Sequence, residues 1–203
     1  MSNNYKTESF PSMSGIEEML FHFVKKIKQQ FTNPEQHKSV NYLFDKRENN
    51  TEKIKELLLN CGATENQDKK YSGLYVFSEI VHEERLFLYT GISRNLIQRI
   101  KQHVMAGDRY TATWAFAMLK NDKDNKLHAV LNKKNKEPID KFGFTSKEDL
   151  NKQICEEIST IQKEKISKCD ITFITENDNF LLHIAEVFVS CELRSYWNSF
   201  ETH

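Results

Sequence analysis

The chain has 203 residues, of which 38% are hydrophobic and 29% charged. This composition is typical of a soluble globular protein with one domain, or one domain and an extension. Residues 1–15 are polar, so we expect no signal peptide, and no apolar run is long enough to span a membrane. The 29 basic and 29 acidic residues balance, whereas nucleic-acid-binding domains are usually basic. Only local clustering of positive charge would make such a partner plausible.

The cysteines limit the choice of compartment. They are far apart in the sequence, at Cys61, Cys155, Cys169 and Cys191. Their spacing matches neither a zinc site nor a disulfide framework. We interpret them as reduced thiols and predict a cytoplasmic protein.

The first part of the chain is predicted to be helical. Apolar periodicity indicates three helices, at 14–31, 35–46 and 50–62. The first is expected to start at a capping box on Ser14, and the polar stretch 64–70 follows the third as a linker. Such a unit is either a packing appendage or an element for specificity or dimerisation. The sequence does not decide between them, and we favour packing.

Residues 73–91 predict a β-hairpin. Two segments rich in aliphatic and aromatic residues, Gly73–Ile80 and Arg85–Gly91, flank the polar stretch His82-Glu83-Glu84. With the turn centred on His82, Tyr75 would face Tyr89. Alternation along the strands would then place four aromatic side chains on one face: Tyr75, Phe77, Phe87 and Tyr89. A shift of one residue would undo this register.

A helix is predicted to follow the hairpin directly. Ser93 is placed to cap it, and Leu96, Ile100 and His103 recur at the spacing of a buried stripe. Arg99 lies one helical turn before His103 on the same face. Both side chains can therefore reach the end of the hairpin that carries the tyrosines.

The second half of the chain predicts one more strand and further helices. Periodicity indicates helices at 111–119, 147–166 and 180–196 and a strand at 169–175. The loop after the first of these helices carries three lysines, Lys133, Lys134 and Lys136. Such a cluster either contacts backbone phosphates or is a solvated loop.

Glu186 lies where a carboxylate is unexpected. The packed face of the last predicted helix is marked by Leu182, Ala185, Val189 and Leu193, and Glu186 lies at its edge. A glutamate beside a core is usually paired or bound to a metal. His183, three residues earlier, would lie near such an ion or simply pack. Glu192 is a rival, but its surroundings are more polar.

The segment 73–103 resembles the core motif of the GIY-YIG nuclease superfamily. Two tripeptides stand where those proteins have Gly-Ile-Tyr and Tyr-Ile-Gly: Gly73-Leu74-Tyr75 and Tyr89-Thr90-Gly91. The following helix matches at Ser93, Leu96, Arg99 and His103. The departures, Leu74 and Thr90, both replace isoleucine and leave the tyrosines and glycines in place.

The resemblance implies an α+β fold, with a small three-stranded antiparallel sheet flanked by helices. Residues 1–70 would form an N-terminal helical extension and linker. Residues 71–203 would form the catalytic domain, with a lysine-rich insertion around 121–146. The implied activity is that of a metal-dependent endonuclease, with double-stranded DNA as the expected partner. The alternative is a non-catalytic module on the same scaffold that binds nucleic acid or protein.

The resemblance also implies roles for individual residues. Glu186 would be the ligand of Mg²⁺ or Mn²⁺, and Arg99 would contact phosphate. Tyr75 would act as general base or proton relay, Tyr89 would orient phosphate or water, and His103 would assist proton transfer. The candidates for substrate binding are Ser93, Asn198, Lys133 and Lys134.

Overall fold

The computed structural model describes residues 12–45, 50–64, 70–105, 108–132 and 138–198. Within them the chain is an α+β protein, as predicted, built on an antiparallel sheet. The strands are β1 Lys38–Ser39, β2 Gly73–Val81, β3 Glu84–Ser93 and β4 Asp170–Thr175. The helices are α1 Met13–Gln30, α2 Val40–Leu43, α3 Asn50–Asn60, α4 Leu96–Met105, α5 Thr113–Asn121, α6 His128–Leu131, α7 Lys147–Glu164 and α8 Asn179–Leu193. Two short 3₁₀ helices lie at Ile139–Phe142 and Ile166–Lys168.

The described sheet has four strands in the order β1-β4-β2-β3, so the prediction of three strands was wrong. The additional strand β1 has only two residues and pairs Lys38 with Ile171 and Ser39 with Asp170. It lies inside the segment predicted as a second helix, of which only the short α2 is formed. Two residues are too few to show a periodicity in the sequence.

The predicted hairpin is formed, but its predicted register was wrong. The turn consists of His82 and Glu83, both with positive φ, which is the backbone of a two-residue type I′ turn. Leu88 is then an extra residue in β3, because Ser78 pairs with Phe87 and Phe77 with Tyr89. Tyr75 therefore faces Gly91 rather than Tyr89.

The bulge also divides the predicted aromatic set between the faces of the sheet. Tyr75, Phe77 and Tyr89 share one face, whereas Phe87 packs on the other.

Two predicted helix caps are also different in the structure. Ser12, not Ser14, caps α1 by accepting from the backbone N–H of Gly15 at 3.2 Å. Asn95 rather than Ser93 caps α4, because its Oδ1 accepts from the N–H of Gln98 at 3.2 Å. The prediction that Ser146 caps the helix starting at Lys147 is confirmed.

Each face of the sheet is covered by its own core. Tyr75, Phe77 and Phe173 point into a core shared with α3, α4, α5 and α7. Leu74, Val76 and Ile174 point the other way, into a core shared with α1 and α8. The first helix thus packs against the sheet, and buried Gln30 ties it there by donating to the carbonyl oxygen of Phe173 at 3.0 Å.

The outer edge of β3 is closed by the end of the described chain. The N–H groups of Tyr196 and Trp197 donate to the carbonyl oxygens of Phe87 and Leu88 at 3.1 and 2.9 Å. This pairing covers backbone groups that an edge strand otherwise leaves open.

All four cysteines are free thiols, and Cys61 and Cys169 are buried. Burial raises the pKa of Cys169 to about 12, so this thiol stays protonated and unreactive at neutral pH. None of the helices in the described ranges combines the length and the apolar character that crossing a membrane requires.

Candidate active site

The two motif glycines are required by close packing. A Cβ on Gly91 would overlap the ring and hydroxyl of Tyr75, which lies across it. A Cβ on Gly73 would overlap the carbonyl oxygen of Ile174 on the neighbouring strand β4. Neither glycine has a positive φ, so each is needed for space rather than for backbone conformation.

Tyr75 is the centre of a buried hydrogen-bonded cluster. Its hydroxyl lies 2.7 Å from Nε2 of His103 and accepts a bond from Nε of Arg99 at 3.3 Å. Tyr75 and His103 are 1% and 0% exposed. The helix α4 supplies both partners, because positions 99 and 103 are one turn apart and face the sheet.

Arg99 is held by further bonds. Its Nη1 donates to the carbonyl oxygen of Thr111 at 3.0 Å and to Oε1 of Gln102 at 3.3 Å. Its Nη2 donates to Oγ1 of Thr113 at 2.8 Å. Burial lowers the pKa of Arg99, but Tyr75 and Tyr89 together more than offset this, so the pKa is raised overall. The guanidinium is thus a permanent positive charge in a fixed orientation.

Tyr89 lies beside this cluster on the same face of the sheet. Its ring is 6.2 Å from that of Tyr75 and stacks on Trp114 of α5, with ring centroids 5.2 Å apart. Tyr89 is partly exposed, unlike Tyr75. It therefore forms the boundary between the buried cluster and solvent.

Burial controls the protonation of the cluster. It raises the pKa of Tyr75 well above 10.0 and that of Tyr89 above the same ordinary value. It lowers the pKa of His103 well below 6.5, and the charge of Arg99 acts in the same direction. At neutral pH both phenols are therefore protonated and the imidazole is neutral.

His103 has one ring nitrogen to spare. Nε2 bonds to Tyr75, whereas Nδ1 is buried with no hydrogen-bond partner among the described residues. Leaving a buried polar atom unpaired is costly for stability. Such exceptions are concentrated at functional sites.

Glu186 lies on α8, which packs on the face of the sheet opposite to Tyr75 and His103. Its position on that helix is the predicted one. Leu182, Ala185 and Val189 of α8 are buried, and Glu186 is half-buried at the edge of their face. The backbone N–H of Ile92, on β3, lies near this carboxylate and favours its ionised form.

The charge of Glu186 is coupled to the buried cluster. Burial raises the pKa of Glu186 above 4.5, while His183 and Arg99 act in the opposite direction. The carboxylate in turn raises the pKa values of Tyr75 and Tyr89. Glu186 is therefore within electrostatic range of Tyr75, Tyr89 and Arg99, and Tyr75 in turn contacts His103.

Glu186 offers one carboxylate to a cation. Mg²⁺ and similar ions retain several waters and need few carboxylates, and a carboxylate with a raised pKa gains from a nearby positive charge. The described part of the chain contains no group of three or more His, Cys, Asp or Glu side chains arranged to hold a metal. An ion bound at Glu186 would therefore be held by one carboxylate and by waters, and this ligand role stays a prediction.

The predicted substrate-binding residues that the structure describes bind the backbone of the protein itself. Asn198 binds the backbone of Thr90: its Oδ1 accepts from the N–H at 2.8 Å and its Nδ2 donates to the carbonyl oxygen at 2.6 Å. Ser93 ends β3, and its Oγ accepts from the N–H of Asn95 at 3.0 Å. These bonds give both residues structural roles, and their contact with substrate stays a prediction. Lys133 and Lys134 lie outside the described residues.

The sequence did not reveal three further contributors to the site. Trp114 is fully buried, and its ring supports Tyr89. Thr111 and Thr113 fix the guanidinium of Arg99. A backbone carbonyl carries no signature in the sequence, and a threonine before an apolar helix is ordinarily interpreted as part of its start.

Comparisons of the chain with protein-family models, with curated proteins and with solved structures found no match. The resemblance to GIY-YIG nucleases therefore rests on the motif residues alone.

Proposed function

We propose that this chain is a cytoplasmic, divalent-metal-dependent endonuclease that hydrolyses phosphodiester bonds in nucleic acid, with double-stranded DNA as its substrate. One observation carries the proposal. The hydroxyl of Tyr75 is bonded to both His103 and Arg99, and the carboxylate of Glu186 lies within electrostatic range of that cluster. A protein that only packed its hairpin would have no need of these buried polar groups.

Glu186 would hold Mg²⁺ or Mn²⁺, and a bound ion of this kind acts as a Lewis acid on a phosphate oxygen. The half-buried position of the carboxylate limits competition from bulk water.

Arg99 offsets the charge that grows on the phosphate during hydrolysis. Its guanidinium is permanently charged and acts on the phosphate mainly through that charge, because four of its five N–H groups already donate to Tyr75, Gln102, Thr111 and Thr113. Because Thr111 and Thr113 already hold it, little reorganisation is needed during the reaction. Preorganised electrostatic support of this kind is typically the largest contribution to catalysis.

Tyr75 acts as a proton relay rather than as a standing phenolate, since its raised pKa keeps it protonated at neutral pH. The attacking water gives a proton to the hydroxyl oxygen as Tyr75 passes its own proton to Nε2 of His103, 2.7 Å away. The lowered pKa of His103 keeps that nitrogen free to accept. The hydroxide forms the new P–O bond, the leaving oxygen departs with the electrons of the old one, and solvent protonates it.

Tyr89 positions the reacting groups. It is the partly exposed member of the pair, and its stacking on Trp114 limits its movement. Its neutral hydroxyl can donate to a phosphate oxygen or accept from water.

The test compares purified wild type, Glu186→Gln and Glu192→Gln on plasmid DNA and on structured RNA, with Mg²⁺, with Mn²⁺ or with a chelator. Glu192 is the matched control, because it is an exposed glutamate on the same helix. We expect cleavage by the wild type and Glu192→Gln that requires the cation, and none by Glu186→Gln. Full activity of Glu186→Gln would contradict the proposal, and binding without any cleavage would favour the non-catalytic module.

A further inference from the structure

A short segment links the proposed active site to the surface. Residues 108–113 connect α4 to α5 and lie against Arg99, which donates to the carbonyl oxygen of Thr111 at 3.0 Å and to Oγ1 of Thr113 at 2.8 Å. The segment is thus attached to the guanidinium that the proposed function assigns to the scissile phosphate. Any side chain that this segment exposes to solvent would therefore lie beside that phosphate.

Asp108 fixes the same segment from its other end. Its Oδ1 accepts from the N–H groups of Tyr110 at 2.9 Å and Thr111 at 3.0 Å, and its Oδ2 accepts from the hydroxyl of Thr111. The bond from Thr111 lowers the pKa of Asp108. The carboxylate is therefore ionised and engaged within the turn, which is held in one conformation.

The turn presents an aromatic side chain that no core uses. Tyr110 is 74% exposed and belongs to neither core of the sheet. The guanidinium of Arg109 lies 4.8 Å from the centre of its ring, and Nη2 of Arg109 donates to its hydroxyl at 2.6 Å. Arg109 thus covers one face of the ring and limits its rotation. The high exposure of the ring leaves the opposite face available for stacking.

We propose that Tyr110, backed by Arg109, is a stacking platform for an unpaired nucleobase next to the scissile phosphate. The inference rests on the proposed function and narrows its substrate to nucleic acid with an unpaired nucleotide at the cleavage point. A base within a duplex already stacks on its neighbours, so only an unpaired base can place its face on a protruding aromatic ring. Arg109 adds a positive charge for the flanking phosphate.

The experiment uses the full-length chain and a DNA duplex with a single bulged 2-aminopurine, beside the same duplex fully paired and the same sequence as a single strand. Binding is measured in the presence of chelator, by anisotropy and by quenching of 2-aminopurine fluorescence. The variants are Tyr110→Ala, Tyr110→Trp and the control Tyr196→Ala. Tyr196 suits as a control because it is 77% exposed and pairs with β3 near the hairpin turn.

We expect the wild type to quench the bulged base and to bind the bulged and single-stranded probes more tightly than the paired duplex. Tyr110→Ala should weaken binding to these two probes about 10- to 100-fold, abolish the quenching and leave binding to the paired duplex unchanged. Tyr110→Trp should restore both readouts, and Tyr196→Ala should match the wild type. The stacking role of Tyr110 would be contradicted if the wild type bound the bulged and paired probes with equal affinity. It would also be contradicted if Tyr110→Ala bound the bulged probe as tightly as the wild type does.

Cleavage of the same probes in Mg²⁺ separates this inference from the proposed function. If Tyr110→Ala and the wild type cleave the bulged and the paired probe at equal rates, the stacking role of Tyr110 is wrong and the proposed nuclease activity is supported. Base quenching that depends on Tyr110, with no cleavage by the wild type, would support the platform and overturn the nuclease.

Discussion

The two faces of the sheet bury different kinds of residue. The face under α1 and α8 is mainly aliphatic, with Leu74, Val76 and Ile174, and two buried polar side chains there, Gln30 and Thr172, are bonded to each other. The face under α4 and α5 buries a phenol and an imidazole bonded to each other, Tyr75 and His103. Neighbouring residues of one strand thus enter environments of opposite chemistry.

The difference indicates which face of the sheet contributes less to stability. Aliphatic packing contributes stability in proportion to the area buried, whereas a buried imidazole with one unpaired nitrogen costs stability. Proteins usually accept such costs at functional sites. The comparison therefore predicts that substitutions on the polar face change chemistry, while substitutions on the aliphatic face change stability.

Tyr75→Phe gives the largest expected effect, a loss of about 10²- to 10⁴-fold in kcat. The substitution removes the hydroxyl that relays the proton and keeps the ring that packs. The measurement is single-turnover cleavage of plasmid DNA, with a circular dichroism spectrum to verify folding. Tyr71→Phe is the control, because Tyr71 is also buried in this core but lies outside the cluster. An unchanged kcat for Tyr75→Phe would contradict the prediction that the polar face serves the chemistry.

Leu74→Ala, one residue away, should instead lower the free energy of unfolding by about 2–5 kcal/mol. The side chain is fully buried on the aliphatic face, so its loss leaves a cavity. Urea unfolding measures the change, and cleavage assays well below the melting temperature should give a wild-type kcat. A fall in kcat as large as that of Tyr75→Phe would show that the two faces are not independent.

The pH dependence of the free energy of unfolding measures what the burial of His103 costs. The folded pKa of His103 is lowered, so its contribution to stability is present above the unfolded value near 6.5 and is lost as pH falls. The free energy of unfolding should therefore decrease below pH 6.5 with a slope of up to about 1.4 kcal/mol per pH unit from this group. Chemical denaturation from pH 8 to pH 5 measures the slope.

The decrease should disappear in His103→Gln and persist in His22→Gln, which alters an exposed histidine of α1. Identical slopes in the wild type and His103→Gln would remove His103 as its cause.

Glu186→Gln should give the smallest effect on stability, a gain of about 1 kcal/mol or less. The folded pKa of Glu186 is raised, so above the unfolded value of 4.5 the ionised carboxylate lowers stability, and glutamine removes that cost. Mg²⁺ should raise the melting temperature of the wild type by mass action and leave that of Glu186→Gln unchanged. An equal response of both proteins to Mg²⁺ would place the ion elsewhere.

The sequence predicted the parts of the fold that have strong local patterns. The hairpin, the strand β4 and α4 with its buried His103 follow directly from periodicity. The register did not, because the type I′ turn uses His82 and Glu83 instead of Asn-Gly. The bulge at Leu88 arises from pairing across the sheet, and a single strand does not encode it.

The site was predictable where side chains carry the chemistry. Tyr75, Arg99 and His103 lie together, as the motif spacing predicted, and Glu186 lies at the edge of an apolar face, also as predicted; their catalytic roles stay a prediction. What holds Arg99 was missed, because its strongest constraints include the backbone of Thr111. Such contacts depend on how α4 and α5 are placed in space, which local sequence does not specify.

The closure of β3 by the late part of the chain has a consequence for biosynthesis. A nascent polypeptide that has exposed the hairpin and α4 still lacks Glu186 and the pairing of Trp197 with β3. Such a chain holds the tyrosines, the arginine and the histidine of the cluster but not the carboxylate. Under the proposed function, cleavage would therefore become possible only after α8 has been synthesised and has packed against β3.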